Sequence, residues 1–165
     1  MSPHATAAAE LLYAEAEYLD LQQWDHWLAL YADDCEFWMP AWKGEHQTTE
    51  DPAREVSLVY YSGRAGLVDR VWRVRQGNSV ASAVLPRTQH AITNISVRAT
   101  EGRAGLLVKS CWTVHQYLIR ESEVNVFFGR YEHTLTEIDG TLRIARKKIV
   151  LLNDYLPSRI DFYSL

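Results

Sequence analysis

Two hydrophobic periods divide the chain. Near the N-terminus Leu11, Leu12, Ala16 and Leu19 recur at helical spacing, with Glu15 carried among them. One stripe of a first helix is therefore buried, and Thr6 can cap it. A second helical pattern begins at Gln22 and puts Trp24, Trp27, Leu28 and Tyr31 on its apolar side, with Asp33-Asp34 read as its end. Cys35 to Met39 follows as a short strand stopped by Pro40. Residues 41–54 are polar, hold one Gly and one Pro, and read as a loop.

Val56 to Tyr61 is an apolar, strand-like run broken by Ser62-Gly63. Arg64 to Gln76 fits helix or strand, and the spacing of Leu67, Val71 and Val74 favours helix. The remainder is strand country: Ala91–Val97, Leu106–Ile119, Val124–Glu137 and Leu142–Leu152 are rich in β-branched and aromatic residues. Short turns such as EGRAG and DG part them. Helices followed by an antiparallel meander predict an α+β fold, with residues 1–165 as one domain. Strands this long must curl, and a curled sheet closed by N-terminal helices encloses a cone-shaped space.

Composition narrows the functional classes. A net charge of −4 and the absence of a long basic run argue against a nucleic-acid surface. No apolar run approaches the roughly 20 residues of a membrane helix, and MSPHATAAAELL lacks a basic region ahead of an apolar one, so the expected location is the cytoplasm. Cys35 and Cys111 read as two buried thiols. Without C-x-x-C, or cysteine and histidine at ligand spacing, the chain is not expected to hold an iron–sulfur cluster or a structural zinc. No histidine pair has zinc spacing either. Six tryptophans and nine tyrosines are many for 165 residues, and point to a large core, a lined cavity or a partner.

Three groups carry candidate chemistry. In PRTQHAITNI (residues 86–95) His90 and Asn94 fall on one strand face, so they form either a structural polar pair or part of a site. In the catalytic reading His90 faces Asp33 or Asp34 as a general acid–base pair, as a stand-alone dehydratase or isomerase would need. In RAGLVDRVWRVR (64–75), Arg64, Asp69, Arg70, Trp72 and Arg73 make either a solvated helical face or a subunit interface, since arginine beside tryptophan is a hot-spot composition. ARKKIV (145–150) is a second basic cluster that asks for acidic neighbours or a partner.

In order, YAEAEYLDLQQWDHWLALYADDCEFWMP, TEDPAREVSLVYYSGRAGLVDRVWRVRQG, PRTQHAITNI and RKKIVLLND span almost the whole chain. Together they resemble the small (β) subunit of bacterial aromatic-ring-hydroxylating dioxygenases. FWMPAW followed by SLVYYSGRAGLVDRV most resembles the benzoate and anthranilate type. The resemblance implies a cystatin-like cone fold, shared with ketosteroid isomerase and scytalone dehydratase. It implies an assembly of three α with three β subunits. The Rieske 2Fe-2S cluster and the mononuclear iron belong to the catalytic α subunit, and a separate reductase supplies electrons from NADH. No catalytic residue, cofactor or metal is carried onto this chain, and His90 with Asn94 then reads as structural. A small-molecule-binding protein of the same fold is the remaining alternative.

Overall fold

A computed structural model describes residues 2–77, 84–102, 104–154 and 160–165. Helix α1 spans Pro3–Asp20 and α2 spans Trp24–Ala29. Strands β1 (Tyr31–Pro40) and β2 (Ser57–Ser62) precede helix α3 (Arg64–Arg75). Then come β3 (Arg87–Ala99), β4 (Leu106–Leu118), β5 (Glu123–Ile138) and β6 (Thr141–Leu151). A 3-10 turn at Phe162–Ser164 ends the chain.

Several expectations are corrected at element ends. Ser2, not Thr6, caps α1: its hydroxyl accepts the Ala5 N–H at 3.3 Å, and Pro3 occupies the first turn, where a missing N–H costs nothing. The second helix stops at Ala29, so Tyr31, Asp33 and Asp34 belong to β1, a longer strand than its apolar half alone predicts. Helix α3 follows its predicted spacing, with Leu67, Val71 and Val74 buried.

The six strands form one sheet in the order β2-β1-β6-β5-β4-β3. From β3 to β6 the pairing is the expected antiparallel meander. β1 departs from it by joining β6 in parallel, which makes the sheet mixed. The tight turn between β5 and β6 is Asp139-Gly140, both at positive φ (51° and 76°), as a two-residue hairpin loop matching strand twist requires.

Alternation along the strands sorts the two faces. Val108, Trp112 and Val114 of β4, and Phe127, Tyr131 and Leu135 of β5, point inward with Ile144 and Ile149 of β6. Helix α1 lies on this inner face through Leu12, Glu15 and Leu19, and Trp27 stacks on Phe162 with centroids 4.9 Å apart. Gly129 has no room for a side chain beside β6: a Cβ there would fall 1.8 Å from the Val150 carbonyl oxygen. Gly129→Ala should therefore push β6 away and cost at least about 2–3 kcal/mol. Urea unfolding of the purified chain checks it, and an unchanged midpoint would contradict so tight a contact.

Candidate functional site

The inner face carries charge where an apolar stripe was expected. Glu15 is 2% exposed and accepts three hydrogen bonds from three strands. Tyr31 of β1 donates its hydroxyl at 2.5 Å and Lys147 of β6 its ammonium at 2.7 Å, both to Oε1. His133 of β5 lies 2.9 Å from Oε2 through Nε2. The Lys147 ammonium also donates to the Leu165 carbonyl at 3.4 Å and sits 4.3 Å from the centre of the Tyr131 ring.

Burial alone would push the Glu15 carboxyl up, but Lys147 and His133 outweigh it and hold it far below the usual carboxylate range. Desolvation lowers both His133 and Lys147 against the pull of Glu15. A neutral His133 then donates its Nε2–H to Glu15, and its Nδ1 is a buried atom without a partner. Tyr31 and Tyr131 are pushed well up, first by burial and then by the Glu15 charge. Such a cluster can tie elements together, but a fully buried carboxylate holding three donors has little capacity for chemistry on a substrate.

His90 forms a second polar link between helix and sheet. Its Nδ1 lies 2.6 Å from Asp20 Oδ1, its backbone N–H donates to Oδ2 at 2.8 Å, and the Thr88 hydroxyl donates to Oδ1 at 2.9 Å. Asp20 is thus the partner of His90, in place of Asn94 and of Asp33 or Asp34. Asn94 is exposed at φ 57°, where a bulge between Thr93 and Ser96 breaks the alternation that would have put it beside His90. Asp33 and Asp34 are exposed on β1, and three strands separate β1 from β3. The His90 ring is 1% exposed and its Nε2 has no partner.

On α3 the predicted interface residues divide. Arg70 turns inward and clasps Asp161 with two hydrogen bonds, at 2.9 and 2.7 Å, which raise its pKa further. It anchors the chain's own C-terminal turn. Arg64 donates to the Leu28 carbonyl at 2.9 Å, and Arg73 pairs with Asp69 at 3.2 Å on the exposed side. Trp72 is 54% exposed. With Val68, Asp33, Asp69 and Arg64 it borders an open depression of 610 Å³.

Glu15, Lys147, His133 and Asp20 escaped the sequence reading as a set. A signal existed for two of them: Glu15 interrupts the apolar stripe of α1, and Lys147 shares strand parity with Ile149 and Leu151. Of the cysteines, Cys35 is buried, which pushes its thiol up to about 11, and Cys111 is half-buried on another strand. Among the described residues no three or more His, Cys, Asp or Glu side chains converge as metal ligands. Nor is any described helix long and apolar enough to cross a membrane.

A helix-covered, curled mixed sheet of this kind is the cone fold. A protein assigned as a scytalone dehydratase, from Novosphingobium aromaticivorans, shares it with a TM-score of 0.69 at 17% identity, covering 93% of this chain and 88% of that one. At that identity the likeness concerns fold alone. Residues 14–158 match the family model described as the ring hydroxylating beta subunit, and the chain belongs to that family. It is 41% identical to the β subunit of toluate 1,2-dioxygenase from Pseudomonas putida, over 95% of both chains. The crystal structure of the benzoate 1,2-dioxygenase β subunit from Burkholderia mallei superposes with a TM-score of 0.77 at 33% identity, covering 96% of this chain and 95% of that one.

Two measurements test the buried cluster. Lys147→Met strands the Glu15 charge and should cost about 3–5 kcal/mol in urea unfolding, whereas adding Glu15→Leu to it should recover much of that loss. A double variant as unstable as the sum of the singles would show that the two residues act independently.

The pH dependence has a definite sign. Folded Glu15 and His133 both titrate below their ordinary values of 4.5 and 6.5, so on acidification the unfolded chain takes up protons first. Stability should therefore fall as pH drops through 6.5, and more steeply below 4.5. Lowered Lys147 tilts the profile the same way, and the raised tyrosines reverse it only above pH 10. A urea midpoint that stays flat from neutrality down to about pH 4 would contradict this account.

Proposed function

We propose that this chain is the structural β subunit of the terminal oxygenase in a multicomponent Rieske non-haem iron dioxygenase acting on a benzoate-like aromatic acid. The observation that carries the reading is the 41% identity to a toluate dioxygenase β subunit along 95% of both chains. In this reading three such subunits support three catalytic α subunits in the cytoplasm. The α subunit holds the Rieske 2Fe-2S cluster and the mononuclear iron, and a separate reductase delivers electrons from NADH. This chain contributes shape and contact surface, and its residues touch neither iron nor arene.

The inner face favours a scaffold over a stand-alone dehydratase or a binding protein. Trp112, Phe127 and Tyr131 are fully buried where such a protein needs an open cavity, and Trp112 stacks on Tyr131 at 5.1 Å. His90, the base in that alternative, has its ring sealed at 1% exposure. The proposed subunit interface is the depression beside α3, with Trp72 as its anchor and Arg64, Asp69 and Arg73 around it. An exposed tryptophan among arginines has the composition of a buried interface core.

Purified from its native host, the chain should co-elute with an equimolar larger chain bearing C-x-H…C-x-x-H Rieske spacing. Its recovery alone, in a form that dehydrates or isomerises a small substrate, would overturn the reading. Trp72→Ala should leave the circular dichroism of the chain unchanged and weaken assembly by about 2 kcal/mol or more. Normal assembly of that variant at low and high salt would remove α3 from the interface. Arg70→Glu, by contrast, should destabilise the chain itself by about 2–3 kcal/mol, because it leaves Asp161 without its partner.

A further inference from the structure

A pocket of 290 Å³ lies between the sheet and the loop that follows β1. Its floor is a row across three strands, since Lys109 of β4 pairs in register with Glu132 of β5, and Glu132 with Lys148 of β6. Arg130 and Val150 form the next row. Glu132 is the carboxylate among these positive groups, and it approaches Lys109 at 3.6 Å. The Lys148 ammonium lies 5.0 Å from the Trp38 ring centre. Arg130 is exposed and makes no ion pair among the described residues. Three cations against one anion leave two positive charges at this spot, in a chain whose net charge is −4.

The opposite wall is already built. Trp42 donates its indole N–H to the Leu151 carbonyl at 2.7 Å and bridges Thr48. The Thr49 N–H donates to the Ala41 carbonyl at 2.8 Å and closes the loop behind it. A flat indole held this way gives an apolar wall above a floor in which Val150 lies beside the cationic groups. We propose that this pocket binds an aromatic monocarboxylate, its ring against Trp42 and Val150 and its carboxylate toward Arg130 and Lys148. A guanidinium matches a carboxylate with two parallel hydrogen bonds, and an ammonium adds a point charge. Inorganic phosphate would answer the charges but leave the indole wall uncovered. An acidic side chain from a partner subunit would have no use for that wall, and the enclosed volume is close to the lower end of small-ligand sites. The choice of benzoate as probe rests on the function proposed above; the charge and shape of the pocket do not.

Calorimetric titration of the purified full chain with benzoate should show one saturable site, with a dissociation constant of about 0.1–1 mM. Neutral benzamide should not compete. Arg130→Gln, made at an exposed side chain, should weaken binding about tenfold with no change in thermal unfolding, and Lys148→Gln should weaken it separately. No saturable heat, equal affinity for inorganic phosphate, or full binding in both variants overturns the proposal. The assembled oxygenase should show a second class of benzoate site that Arg130→Gln removes. A single class there would assign the pocket to a partner's acidic side chain and overturn the proposal as well. A chain that binds benzoate yet assembles with no larger subunit would leave this site standing and overturn the function proposed above.

Discussion

One carboxylate organises the interior. Glu15 collects Tyr31 from β1, His133 from β5 and Lys147 from β6, all from a helix that reaches the sheet across its inner face. Charge buried without partners is expensive, so this arrangement is tolerable only when helix and strands are all in place. An apolar stripe could slide along the sheet by a turn at modest cost; a carboxylate with three donors cannot. The Asp20 link to His90 and Thr88, one and a half turns further along α1, fixes the helix at a second point. Through Leu165 and Lys147 the same cluster reaches the C-terminal turn, which Arg70 holds from the other side through Asp161.

That interior explains why the cone fold here turns its useful surfaces outward. Among the described residues, large rings and the Glu15 charge cluster are packed against the inner face of the sheet. The accessible features among the described residues include a tryptophan on α3, a cationic pocket under the β1–β2 loop, and exposed apolar side chains on β5 such as Val124 and Phe128. These are features of a chain that works by contact. The family assignment and the physics of the interior therefore agree from separate starting points.

Much of the fold was legible because its signals are local. The spacing of Leu67, Val71 and Val74 marks α3, and the DG turn between two alternating runs marks the last hairpin. Long-range pairing leaves no such local trace. Nothing in the β1 sequence says that it lies parallel to β6, or that Asp20 meets a histidine 70 residues away. Asn94 misled because alternation holds only while the strand is regular, and one bulge reverses which residues share a face. The Arg70–Asp161 pair was illegible for a different reason: composition marks a segment as fit for an interface without saying which of its arginines also pair within the chain.

The parallel pairing of β1 with β6 has a consequence for how the molecule is made. Glu36 of β1 meets Arg146 of β6 across 110 residues of chain, and Lys147 comes from the same late strand. On the ribosome, the first helix and first strand emerge long before either partner exists. The loop that their pairing closes is 110 residues long, two-thirds of the 165-residue chain. Closure of that kind makes folding slow and leaves early segments open to wrong associations. The β1–β6 seam can therefore close only once almost all of the chain has been made.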